Sequence, residues 1–181
     1  MTKPGWTLIL GAAGILALAG TALAQKKAAP QTMPAAGKAS ATLEARSGST
    51  VSGTAEFMMH GDEMMITVSV KGATPGPHAV HVHEKGDCSA PDASSAGGHF
   101  NPGGHQHGAP DAKEHHAGDF GNITIGTDGT GSLMIHSHDL SLGEGPNSVI
   151  GHALIVHEKS DDFVTQPSGN AGGRVACGVI R

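Results

Sequence analysis

The stretch Ala79-Val80-His81-Val82-His83 decides the fold of this chain. Successive side chains of a β-strand point to opposite faces, so His81 and His83 project together while Val80 and Val82 project the other way. The valines predict one wall of a hydrophobic core. The imidazoles, about 7 Å apart on a rigid strand by the usual rise per residue, converge on one metal ion. A metal held on the outside of a β-scaffold is the first expectation.

Outward from this strand, short segments of β character alternate with Gly-rich turns. Strands are expected over residues 40–46, 50–59, 64–71, 79–84, 119–125, 131–136, 151–157 and 174–180. His60-Gly61-Asp62-Glu63 and Thr127-Asp128-Gly129 read as hairpin turns. About eight short strands without a convincing helix predict an all-β domain, a sandwich or closed barrel. Its core must come from Val, Ile, Leu, Met and a few Phe, because there is no tyrosine and the single tryptophan is Trp6. Met58, Met59, Met64 and Met65 look like a soft-metal cluster. Neighbours on a hairpin point to opposite faces, however, which predicts core and edge packing for them.

The first 24 residues read as a secretory leader. Lys3 supplies the positive end, Thr7 to Gly20 is an apolar run too short to span a membrane comfortably, and Ala22-Leu23-Ala24 is a cleavage signal. Cleavage after Ala24 implies an exported, periplasmic protein without stable membrane insertion. Residues 25–39, rich in Ala, Pro, Lys and Gln, read as a flexible tether. Residues 40–181 then form one domain. The formal charge is −5, or −6 once Lys3 has left with the leader. No basic patch stands out, which argues against nucleic acid as a partner. Cys88 and Cys177, in a chain bound for an oxidising space, either pair or remain two separate thiols. Pairing would close a loop of about 90 residues and contribute at most about 4–5 kcal/mol by the chain-entropy model.

Two segments break the strand pattern, residues 85–115 and 158–173. Long ordered loops of a small domain usually carry function. The first is dense in His, Gly and Pro and follows the His-Val-His strand directly. The chain has 13 histidines, spaced rather than tandem. His99, His107, His116 and His157 each sit in a distinctive local pattern.

The segments HVHEKGDC (81–88), SAGGHFNP (95–102), QHGAP (106–110), HAGDFGN (116–122), VHEKSDD (156–162) and GNAGGRVACGVI (169–180) resemble the copper/zinc superoxide dismutase family. They stand in the family's order and at compatible spacings across the whole expected domain, and the resemblance implies an all-β, eight-stranded Greek-key β-barrel or sandwich with two long functional loops. The resemblance implies one copper per chain on His81, His83, His99 and His157. It implies one zinc per chain on His99, His107, His116 and Asp119, with His99 shared. Four imidazoles suit copper, and three imidazoles with one carboxylate suit zinc. The resemblance also makes Asp161 a hydrogen-bond partner to one ligand of each metal. It makes Arg174 the guide for the superoxide anion, and Cys88 and Cys177 a disulfide. Arg174 and His99 would then act in dismutation itself. A homodimer is one assembly found in the family; some members are monomeric.

Some histidines compete for these places. His105 lies two residues before His107, and His115 directly precedes His116; the register of the resembling family implies His107 and His116, since Gly108 and the His-x-x-Asp spacing to Asp119 match it. His78 is expected to face inward as a hydrogen-bonded structural residue. His60, His136, His138 and His152 fit no ligand pattern. Two other classes of function stand beside the enzyme. A metal-delivery module would carry fewer ligands or Cys-rich transfer motifs, and a non-catalytic sandwich would have no need of Arg174 beside a full ligand set.

Overall fold

A computed structural model describes residues 1, 2 and 37–181. The expected leader beyond its first two residues, and residues 25–36 of the expected tether, lie outside the described residues. Eight strands follow in order: β1 Lys38–Ala45, β2 Ser52–His60, β3 Glu63–Lys71, β4 Gly76–His83, β5 Asp119–Ile125, β6 Thr130–Ser137, β7 Ala153–His157 and β8 Arg174–Val179. The helical content among the described residues is one 3-10 turn, Ser94–Ala96. No helix there is long and apolar enough to cross a membrane.

All the strand pairs are antiparallel, in the order β5-β4-β7-β8-β1-β2-β3-β6. β5 and β6, joined by the turn at Gly126–Gly129, pack across the seam and nearly close the barrel. The β3–β4 connection, residues 72–75, and the longer β6–β7 connection, residues 138–152, both join strands that are not neighbours, as a Greek-key arrangement requires.

Strand bounds differ from expectation by a few residues. β1 begins at Lys38 rather than Ser40, because Ala39 is buried and pairs with Phe57. β4 begins at Gly76, and β7 at Ala153 rather than Gly151. The β2–β3 turn is tighter than expected, with His60 and Glu63 already paired.

The core is the inner face of the barrel. Leu43, Phe57, Ile66, Val68, Val80, Ile123 and Leu154 are essentially inaccessible. Full burial of such a side chain contributes about 1.5–3 kcal/mol. β1, β2 and β3 alternate between buried and more exposed residues along most of their length. The methionines obey the same alternation. Met64 is fully buried and Met59 packs against the core, while Met58 and Met65 turn outward.

β4 and β7 behave differently. They are neighbours, and both faces of β7 and of the second half of β4 are buried. Inward, Val80, Val82, Leu154 and Val156 meet the core. Outward, Ala153 and Ile155 pack with Ala93, Ala96 and Cys177 in a second small core beneath the loop after β4. The Cys88–Cys177 disulfide ties this loop to β8. Backbone hydrogen bonds Phe100 N–H to Val82 O (2.8 Å), Gly118 N–H to Phe100 O (3.0 Å) and Val82 N–H to Gly118 O (2.9 Å) seat the loop against β4. His81 and His83 thus lie outside the barrel yet are buried, covered by the chain's own loops.

Candidate metal centre

Alternation on β4 aims His81 and His83 at the space beneath the loops. His157, last residue of β7, shares the outer face with Ile155 and Ala153. His99 forms an isolated antiparallel bridge with His83, which carries its ring to the same place. Asp119 opens β5 directly opposite His81. His107 and His116 come from the loop between. The result is two ligand sets, His81/His83/His99/His157 and His99/His107/His116/Asp119. In each, one donor atom per residue lies within 4.8 Å of all the others. His99 belongs to both.

The hydrogen bonds assign the atoms, since a partner on one ring nitrogen fixes the role of the other. His81 donates Nε2–H to Asp161 Oδ2 at 2.7 Å, which leaves Nδ1 without a partner. His83 donates Nδ1–H to Gly97 O at 2.9 Å, and His157 turns Nδ1 toward Gly172 O at 3.5 Å. Their Nε2 lone pairs then face each other at 3.4 Å. His99 points Nδ1 at Asp119 Oδ1 (2.8 Å) and leaves a buried Nε2 without a partner. His107 donates Nε2–H to Asp161 Oδ1 at 2.9 Å, and its Nδ1 lies 3.0 Å from Asp119 Oδ2 without hydrogen-bond geometry. His116 Nδ1 stands 3.4 Å from Asp119 Oδ1.

Buried lone pairs that face one another cost free energy unless a cation lies among them. The donor atoms present therefore fit metal ions in both sets. Electrostatics favours the same conclusion. Burial, then the neighbouring His99, holds the His81 imidazole well below its usual range. Burial and His157 do the same to His83, and burial with His99 pulls His157 down to about 3. These rings are neutral at physiological pH, the form that binds metal. Burial raises the Asp119 carboxyl, but hydrogen bonds from His99 and the His116 N–H outweigh it and keep the group ionised.

Asp161 is fully buried and joins the two sets through His81 and His107. Arg174 opens β8 opposite His157. Its guanidinium donates to Ala93 O and Gly97 O, both at 2.7 Å. Gly97 O thus holds both Arg174 and His83. Burial lowers the arginine pKa and Asp92 raises it; the group stays cationic.

The competing histidines stand elsewhere. His105 hydrogen-bonds Glu114 through Nδ1 at an exposed position (2.8 Å), and His115 lies 3.6 Å from Asp139. His78 is buried and hydrogen-bonds Thr74 and the His157 carbonyl. His152 donates to His83 O at 3.2 Å and lies against Phe100.

Three supporting residues escape sequence reasoning. Asn122 accepts from the Asp161 N–H (2.7 Å) and donates to the Asp161 carbonyl (3.0 Å). Gln166 clamps His107 in the same two-point way, at 2.9 and 2.8 Å. A side-chain amide offers a donor and an acceptor on one rigid plane, which suits such a clamp. Gly169 has a φ of 65°, and a Cβ there would collide with the Asp161 carboxylate. Asn122 and Gly169 do fall in the motifs quoted above, and that is the one signal that could have drawn attention to them.

An antiparallel barrel carrying two fused imidazole-rich ligand sets under its own loops defines a histidine metalloprotein. The copper/zinc superoxide dismutase family model matches residues 51–180. The chain belongs to that family, and membership makes it an enzyme of superoxide dismutation. It is also similar to a crystal structure described as that of the clock protein EA4, with 37% identity and a TM-score of 0.72. That match covers 84% of this chain and 98% of the other.

Proposed function

We propose that His81 Nδ1 and the Nε2 atoms of His83, His99 and His157 hold one copper per chain. His99 Nδ1, His107 Nδ1, His116 Nδ1 and Asp119 hold one zinc. The observation that carries this reading is the set of buried nitrogens without partners, His81 Nδ1, His99 Nε2 and His107 Nδ1, one or more in each cluster. Copper suits four imidazoles and supplies a one-electron couple, by which one superoxide becomes dioxygen and a second, with two protons, becomes hydrogen peroxide.

The chain's own residues do the rest. His99 is tied at Nδ1 on the zinc side, so Nε2 is the ring position that takes up and releases a proton for the peroxide. Asp161 keeps His81 and His107 in the tautomers that turn Nδ1 toward the metals. Gly97 O fixes His83 and Arg174 side by side. The Arg174 guanidinium attracts and orients the anion, which a net charge of −6 without the leader would otherwise repel. The leader at residues 1–24 would export the domain to the periplasm, where the disulfide is stable.

Metal analysis and a dismutation assay on the chain without residues 1–24 test this. One copper and one zinc per chain, with turnover far above free copper, are expected. Both metals bound with no dismutation beyond free copper would leave a metal carrier instead. Fewer than two metals would leave a structural sandwich.

A further inference from the structure

Strands β2, β3 and β6 contribute no side chain to the centre just described, yet their outer face is rich in metal-binding groups. Register aligns Met58, Met65 and His136 in one row across these strands, and Glu56, Thr67 and Met134 in the next. On the other side, His60 pairs with Glu63. His138 follows β6 two residues after His136. Alternation turns all of these outward, while Phe57, Met64, Ile66 and Ile135 fill the core behind them. Three thioethers and three imidazoles thus share one face.

One carboxylate spans two of the imidazoles. Glu63 Oε2 lies 3.2 Å from His136 Nδ1, and Glu63 Oε1 lies 3.8 Å from His138 Nε2. The two histidines repeat the i, i+2 spacing of His81 and His83, with a third ligand on the adjacent strand. Both rings are more than half exposed, at 51% and 66%, so packing holds neither of them away from Glu63. Met134 is 61% exposed, a large apolar side chain with little packing to gain there.

We propose that this face is a surface copper site, with His136, His138 and Glu63 as ligands and the Met65 thioether beside them. Imidazoles with a carboxylate suit Cu(II); imidazoles with a thioether suit Cu(I). Copper heads the affinity order for such donors among first-row divalent ions, and thioethers discriminate further against zinc. The two histidines are solvent-exposed, and the groups come from the ends of β3 and β6 rather than from a closed cage. The site therefore exchanges its ion readily, in contrast to the buried centre.

The test is copper titration of the metal-loaded protein against competing chelators, once with Cu(II) followed by electron paramagnetic resonance and once with Cu(I). Wild type is expected to take one further copper per chain. His136→Asn combined with His138→Asn is expected to lower that affinity about a hundredfold, with dismutation unchanged. Met65→Leu should weaken Cu(I) about tenfold and leave Cu(II) within about twofold. The readout is the difference between wild type and the double variant, so it stands whatever the buried centre holds. Wild type that takes no further copper overturns the proposal, as does further copper that the double variant retains. Equal Cu(I) binding by Met65→Leu removes Met65 from the site.

Discussion

Replacing Asp161 with asparagine keeps the volume and exchanges one carboxylate oxygen for an NH2 group. The oxygen that survives has a clear preference. Oδ1 accepts two hydrogen bonds, from His107 Nε2–H (2.9 Å) and the Phe163 N–H (2.7 Å), whereas Oδ2 accepts one, from His81 Nε2–H (2.7 Å). The asparagine therefore keeps its oxygen at the Oδ1 place and turns its NH2 toward His81. Two donors then confront each other at a site with no solvent access. His81 escapes by moving its proton to Nδ1, the atom assigned to copper. A hydrogen bond to a charged partner contributes about 1.5–3 kcal/mol. Its loss corresponds to roughly a 10–150-fold fall in copper affinity at about 1.4 kcal/mol per tenfold. Zinc affinity should fall by less than about tenfold, because His107 keeps an acceptor and loses only its charge. Competitive titration with chelators selective for each metal reads both constants. Equal losses at the two sites, or no loss at either, would refute the reasoning.

Arg174→Gln keeps hydrogen-bonding capacity at Ala93 O and Gly97 O but removes the charge; kcat/KM should drop about tenfold and lose most of its salt dependence at normal metal content. Stopped-flow or pulse-radiolysis kinetics across ionic strength checks this, and an unchanged salt slope counts against steering. The metal-free protein should lose stability on acidification. The unfolded His157 takes up a proton near 6.5, the folded one only near about 3, so falling pH favours unfolding throughout that window. His157 alone accounts for roughly 2 kcal/mol at pH 5 relative to neutral pH, and His81 and His83 act in the same direction. Thermal melts of the apoprotein at pH 5 and 7.5 test it; a higher midpoint at pH 5 contradicts it. Replacing both Cys88 and Cys177 with serine removes a bridge of sequence separation 89 and should cost up to about 4–5 kcal/mol. Denaturant melts measure that loss, and because the loop carrying His99 is also released, metal affinity should fall with it.

Much of the fold was legible because a strand writes its two faces into alternate residues. Val80 and Val82 against His81 and His83, or Met64 against Met65, need no tertiary information to be sorted. Strand ends were less legible, as β1 illustrates. Ala39 reads as part of a flexible Ala-rich segment until Phe57 is placed opposite it.

By itself the sequence determined the class of fold, the loop in which further ligands lie, and the type of each ligand, because alternation, turn residues and side-chain chemistry are local properties. Its resemblance to a family supplied the two ligand sets. Tertiary structure decided the rest. Burial of His81 and His83 depends on a loop folding back over β4 and β7. That the His107 ring, and not that of His105, reaches Asp161 and Asp119 agrees with the motif register but follows only from the fold. The ring nitrogen that each histidine presents follows from partners as distant in sequence as Asp161 from His81. Asn122, Gln166 and Gly169 matter only through atoms brought close by the closed barrel. Such contacts join residues far apart along the chain, and no local pattern encodes them.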